Sequence, residues 1–160
     1  MPHLRLMNKQ TVEQEFAQRQ LLTCLKETPA DWPYDSRLWY KGTISADELR
    51  RVWVVCTTWT EGTWLSDVAA MNMTIGLAER RWAHHPVGGD YDRIEMMVED
   101  YRNNPSDECR WAILKDDMRS GTNWLVVDDG NHRAIASVLA ACADIAVWVV
   151  LHPENGNWLI

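Results

Sequence analysis

The chain has 160 residues, with 16 Lys+Arg against 23 Asp+Glu and a formal net charge of −7. That length fits one domain able to bury about 70% of the surface its unfolded chain exposes, and 46% hydrophobic with 24% charged residues is globular rather than disordered composition. No apolar run nears the roughly 20 residues of a membrane span, no signal-peptide core follows Met1-Pro2-His3-Leu4-Arg5, and the acid excess argues against coating nucleic acid, which draws on Lys and Arg.

The first half reads as mostly helical and rich in Trp. Thr11 followed by Gln14 suggests a capping box for a helix to about Lys26. The stretch Glu27 to Ser36, with Pro29 and Pro33, is turn-rich, and Leu38-Trp39-Tyr40 reads as a short strand. Ser45 followed by Glu48 suggests a second capping box, with Leu49, Val52, Trp53 and Cys56 at helical spacing. Val52-Trp53-Val54-Val55 also has strand composition, so that segment stays open between the two. Ser66 suits the cap of a third helix through Ala70, and Met71 to Trp82 carries no clear pattern. The turn-rich His84 to Asp90 divides the chain, which makes one domain of 1–160 from a helical half, 1–89, and a core, 90–160.

The second half is easier to place. Ile94, Met97, Val98 and Tyr101 lie on one face of a helix over Asp92 to Asn103, which Asn103-Asn104-Pro105 ends. Trp111-Ala112-Ile113-Leu114 and Trp124-Leu125-Val126-Val127 read as strands around a turn at Ser120-Gly121-Thr122-Asn123. A helix from about Asn131 to Cys142 then buries Ile135, Val138, Leu139 and Cys142, and Ile145 to Leu151 is an apolar strand. Strand, Gly-turn, helix and strand form a crossover unit, which favours a parallel pairing in a mixed sheet. The fold class that results is α+β.

Cys24, Cys56, Cys109 and Cys142 are far apart with no CxxC pair, which points to reduced thiols in a cytoplasmic compartment rather than zinc ligands or disulfides. His84-His85 fits a loop better than a metal pair. Among ten Trp residues, Trp111, Trp124 and Trp148 fall in strands and suit the core, while Trp32, Trp39, Trp59, Trp64 and Trp82 lie near irregular segments. Those five suit packing, with one or two left for a ligand or protein partner. Arg50-Arg51 and Arg80-Arg81 read as solvated helix faces.

The chemistry concentrates in Asp128-Asp129-Gly130-Asn131-His132-Arg133. A buried strand ends in two carboxylates, Gly130 allows a sharp turn, and a helix begins with unpaired N–H groups at the positive end of its dipole. Such an end attracts phosphate. His132 and Arg133 add side-chain donors, and Arg grips two phosphate oxygens at once. Asp128 and Asp129 suit Mg²⁺, which favours one or two carboxylates plus substrate oxygens. The plainer reading is an Asp-Gly-Asn turn capping a helix, with His132 and Arg133 solvated.

Arg93-Ile94-Glu95-Met96-Met97-Val98-Glu99-Asp100-Tyr101, the strand near Ile113-Leu114, and Trp124 to Ala136 together resemble the ParB/sulfiredoxin-like superfamily. That superfamily includes ParB N-terminal domains, sulfiredoxins and ParB-like free-serine kinases. The resemblance covers roughly residues 90–152 and implies a small mixed sheet with flanking helices. It further implies phosphate contacts from Gly130, Asn131, His132 and Arg133, with Asp129 positioning metal or a substrate hydroxyl. Asn131 stands where sulfiredoxins carry their catalytic Cys, which argues against that reaction. The chain stops soon after Leu151, which argues against a partition protein with further domains. The kinase motif differs from Asp129-Gly130-Asn131-His132-Arg133 at the middle position alone. Those kinases also take a carboxylate base from their N-terminal half, and none of Glu48, Glu61 or Asp67 sits in an aligned motif.

The functional expectation is a nucleotide-binding phosphotransferase or ATPase, with Asp129, His132 and Arg133 catalytic and Mg²⁺ as metal. Its ligands would be ATP or another nucleotide and a small-molecule acceptor. Two alternatives stand beside it: a ParB-like nuclease, and a non-catalytic acidic interaction or inhibitor protein that kept the fold.

Overall fold

The computed structural model describes residues 3–18, 37–54, 74–82, 89–104, 112–117 and 124–159. The elements run β1 (His3–Met7), α1 (Lys9–Gln18), β2 (Leu38–Ile44), α2 (Ala46–Arg50), β3 (Trp53–Val54) and α3 (Ile75–Arg81). Then come α4 (Gly89–Asn103), β4 (Ala112–Asp117), β5 (Trp124–Asp129), α5 (Asn131–Leu139), β6 (Ile145–Leu151) and a closing 3-10 helix (Pro153–Leu159). None of these helices is long and apolar enough to cross a membrane.

All six strands join one mixed sheet in the order β1-β2-β6-β4-β5-β3. The pairs β1–β2, β2–β6 and β4–β5 are antiparallel, whereas β4–β6 and β3–β5 are parallel. The α+β class is therefore observed. The expected parallel relation of β5 and β6 is not: both border β4, one antiparallel and the other parallel to it. Asp129 lies opposite Ile113, next to Ala112, which pairs with Val147. The nine-residue α5 thus leaves and re-enters the sheet at the same end, which makes its flanking strands antiparallel.

Alternation along the strands separates two cores. Ile44, Ala112, Leu114, Val127, Val147, Val149 and Leu151 face α2 to α5, where they meet Leu49, Ile75, Ile94, Val98, Tyr101, Ile135 and Val138. Trp39, Ile113, Trp148 and Val150 face the other way and pack under Val12 of α1. Trp39 and Trp148 meet edge to face, with ring centroids 6.1 Å apart, a favourable arrangement for aromatic pairs. Trp148 is a core residue as expected, and Trp39, read as lying near irregular chain, is one too. β1 comes so close to β2 that a Cβ on Gly42 would run into the carbonyl of His3.

The Ser45–Glu48 capping box forms: Ser45 Oγ accepts from the Glu48 N–H and Glu48 Oε2 accepts from the Ser45 N–H. The helix behind it is short, and Trp53-Val54 takes the strand alternative beside Val126-Val127. At α1 the cap is Asn8 rather than Thr11, since Asn8 Oδ1 accepts from the Thr11 N–H at 2.8 Å. Helix α3 fills part of the unassigned stretch, with Thr74 Oγ1 accepting from the Leu77 N–H. Beside its three helices, the described part of the first half also supplies β1, β2 and β3 to the shared sheet. Cys142 is half-buried against the helix-side core. The Ser66 helix, the turn at 120–123, His84-His85, the other three cysteines, and Trp32, Trp59, Trp64 and Trp111 lie outside the described residues.

Candidate functional site

The register of β4 against β5 slips between Ile113 and Leu114, which pair with Asp129 and Val127. Asp128 is the residue left over, and such a bulge re-aims the side chains around it. The strand then ends in Gly130, whose φ of 90° is open to glycine and unfavourable for other residues. A Cβ there would lie 3.1 Å from Ala112 Cα and 3.1 Å from Arg133 Nε. The turn is thus a cradle in which backbone and guanidinium come close because no side chain intervenes.

Gly130 is also the N-cap of α5 and, having no side chain, makes no cap hydrogen bond to it. The Ala134 N–H donates to the Gly130 carbonyl at 2.8 Å. Helices α1, α2 and α3 are instead capped by Asn8, Ser45 and Thr74. Asn131 opens α5, is 6% exposed, and its Oδ1 is buried with no hydrogen-bond partner. His132 is half-buried beside it. Arg133 donates from Nη2 to Asp129 Oδ2 at 3.0 Å, while Asp128 pairs with Lys115 Nζ at 2.9 Å.

The structure therefore brings Asp129, Gly130, Asn131, His132 and Arg133 into one turn. Such a turn favours an anion, because the positive end of a helix dipole and a guanidinium meet there. Asp128 and Asp129 each give an oxygen to a cation, so a divalent ion at either would share that carboxylate or displace its partner. Glu48, considered for the base, holds the α2 capping box with its carboxylate.

A second polar cluster lies at the opposite end of the sheet and was not read from the sequence. Asp116 Oδ2 accepts from the His152 N–H, His152 Nδ1 and Asn155 Nδ2 at 2.8, 2.8 and 2.7 Å. Its partners lie 36 and 39 residues along the chain, and no spacing rule links them. Arg50 also departs from the expected solvated face. It bridges α2 and α3 through two hydrogen bonds to Glu79 and one to Asp47.

No protein-family model, curated protein or solved structure matches the chain.

Proposed function

We propose that the chain is a nucleotide-binding phosphotransferase or ATPase of the ParB-like type, with phosphates held at the Asp129–Arg133 turn and a small hydroxyl compound as acceptor. The observation that carries this reading is the start of α5. A glycine with φ of 90°, which has no side-chain oxygen to offer, stands where the other described caps place one. The absence of a side chain at Gly130 lets the Arg133 guanidinium come close to the backbone at the same helix start.

In this reading the N–H groups of Asn131, His132 and Arg133 donate to phosphate oxygens. The guanidinium of Arg133 keeps one nitrogen on Asp129 and turns the rest of its fork to the ligand. Asp129 holds that guanidinium in place and offers its second oxygen to Mg²⁺ or to the acceptor hydroxyl, and Asp128 stands beside it. Mg²⁺ supplies charge neutralisation for the phosphates. The chain's own work is positioning and preorganised charge from His132 and Arg133.

The test is thermal unfolding of the full chain with ATP, ADP, CTP or GTP plus Mg²⁺, alongside Arg133→Ala. A ligand at 100 times its Kd stabilises by about 2.7 kcal/mol. A nucleotide-selective rise in Tm that Arg133→Ala removes supports the reading. No rise with any of the four defeats it.

A further inference from the structure

The hydrogen bonds at Asp116 settle where the hydrogen of the neighbouring imidazole lies. Asp116 Oδ2 accepts from the His152 N–H and from Asn155 Nδ2. It is therefore an acceptor toward the ring as well, and His152 Nδ1 carries a hydrogen. The lone pair of the uncharged ring is then on Nε2. The Asp116 side chain is 3% exposed and that of His152 34%, so the ring is gripped at one edge by the protein and meets solvent at the other. Among the described residues Nε2 has no hydrogen-bond partner, and it is not sealed from solvent. β4 and β6 are parallel neighbours, which brings both residues to one end of the sheet, away from the Asp129–Arg133 turn.

We infer that Asp116 primes His152 as a phosphoacceptor, whose Nε2 takes a phosphoryl group from a donor of the phosphoramidate class. The site is independent of the turn proposed above. An exposed imidazole suits this chemistry better than acyl transfer. Attack on a carbonyl builds an oxyanion that calls for aimed donors, whereas phosphoryl oxygens bring their charge with them and the transition state is loose. A donor also reaches a surface nitrogen without a cavity to hold it. Nε2 forms a bond to phosphorus as the donor's P–N bond breaks and ammonia leaves. The ring becomes cationic, keeps its hydrogen on Nδ1, and is stabilised there by the carboxylate of Asp116, a positioning residue.

The full chain incubated with potassium phosphoramidate tests this, the phosphoryl group being located by mass spectrometry of its fragments. His3 is the internal reference, because it is the more exposed of the two. In the folded chain His152 is expected to label at least about tenfold faster than His3, and in urea the two are expected to label alike. Asp116→Asn keeps an oxygen for the three donors and removes the charge. It is expected to slow His152 labelling about tenfold, normalised to the folded fraction. Nitrogen-15 spectra of the uncharged ring need no variant and are expected to show hydrogen on Nδ1 and a bare Nε2. Labelling of His152 no faster than His3 in the folded chain overturns the inference, as does hydrogen on Nε2. An unchanged rate in folded Asp116→Asn overturns it too, since exposure alone would then set the reactivity.

Discussion

Asp116 takes both the backbone N–H and the imidazole Nδ1 of His152 on a single carboxylate oxygen, each at 2.8 Å. Burial pushes this carboxyl up, and the hydrogen bonds from Asn155 and from the backbone and ring of His152 outweigh it, holding the group below its ordinary value of 3.8. A depressed folded pKa means that the stabilisation is present above that ordinary, unfolded value and is lost as pH falls through the folded one. Urea midpoints measured against pH should therefore drop steeply in acid for the native chain. They should fall less over that window in Asp116→Asn, which has no proton to take up. At neutral pH, Asp116→Ala strands the three donors and should cost about 2–4 kcal/mol.

At Gly130 the expectation concerns backbone rather than charge. Alanine must hold a φ of 90° there and place its Cβ 3.1 Å from Ala112 Cα. Gly130→Ala should lower stability by roughly 1–3 kcal/mol and displace the Arg133 guanidinium, which lies within 3.2 Å of the new atom. Chemical denaturation checks the first effect. Anion binding, normalised to the folded fraction, checks the second.

Much of this turn was legible because each piece is local. Asp129, Gly130 and Arg133 stand within five residues, and glycine between an apolar run and a helical period has few other uses. The same locality explains β6, the inward face of α4 and the Ser45–Glu48 box, each of which has its pattern written within a few residues. β1 carries no local signal because it is a five-residue edge strand with a largely exposed pattern, stabilised by a partner that pairs Met7 with Trp39 and His3 with Thr43. β2 was cut short at Tyr40 because Lys41 and Gly42 weaken strand propensity, yet Lys41 pairs with Glu15 at 2.6 Å and rests over the Trp148 ring. The Asp116–His152 pair and the orphaned oxygen of Asn131 are products of folding. No window of sequence contains them.

Arg50 offers a test of how α2 and α3 are held together. Its Nε and Nη2 donate to Glu79 at 2.8 and 3.1 Å, a forked pairing, and Nη1 donates to Asp47 at 2.6 Å. The hydrogen bond to Glu79 is the chief influence raising the guanidinium pKa. Both ends remain partly exposed, so solvent screens the pair. A double-mutant cycle with Arg50→Ala and Glu79→Ala should give a coupling of about 0.5–1.5 kcal/mol that shrinks with added salt. The same cycle with Asp47→Ala should give less, since Asp47 is 83% exposed.

The last expectation is a gain. Helix α5 ends in a reciprocal pair of hydrogen bonds, Ala141 N–H to the Val138 carbonyl and Cys142 N–H to the Ser137 carbonyl, at 3.0 and 3.1 Å. That pattern requires the residue after the cap to turn left-handed, and Ala141 does so with a φ of 56°. Glycine is the usual occupant because its lack of a Cβ removes the clash with the carbonyl. Ala141 is exposed, so its methyl gives up little packing. Ala141→Gly should raise stability by roughly 0.5–1 kcal/mol, read as a higher denaturant midpoint at unchanged m-value. A loss of stability would mean that the greater freedom of glycine in the unfolded chain outweighs the relief of strain.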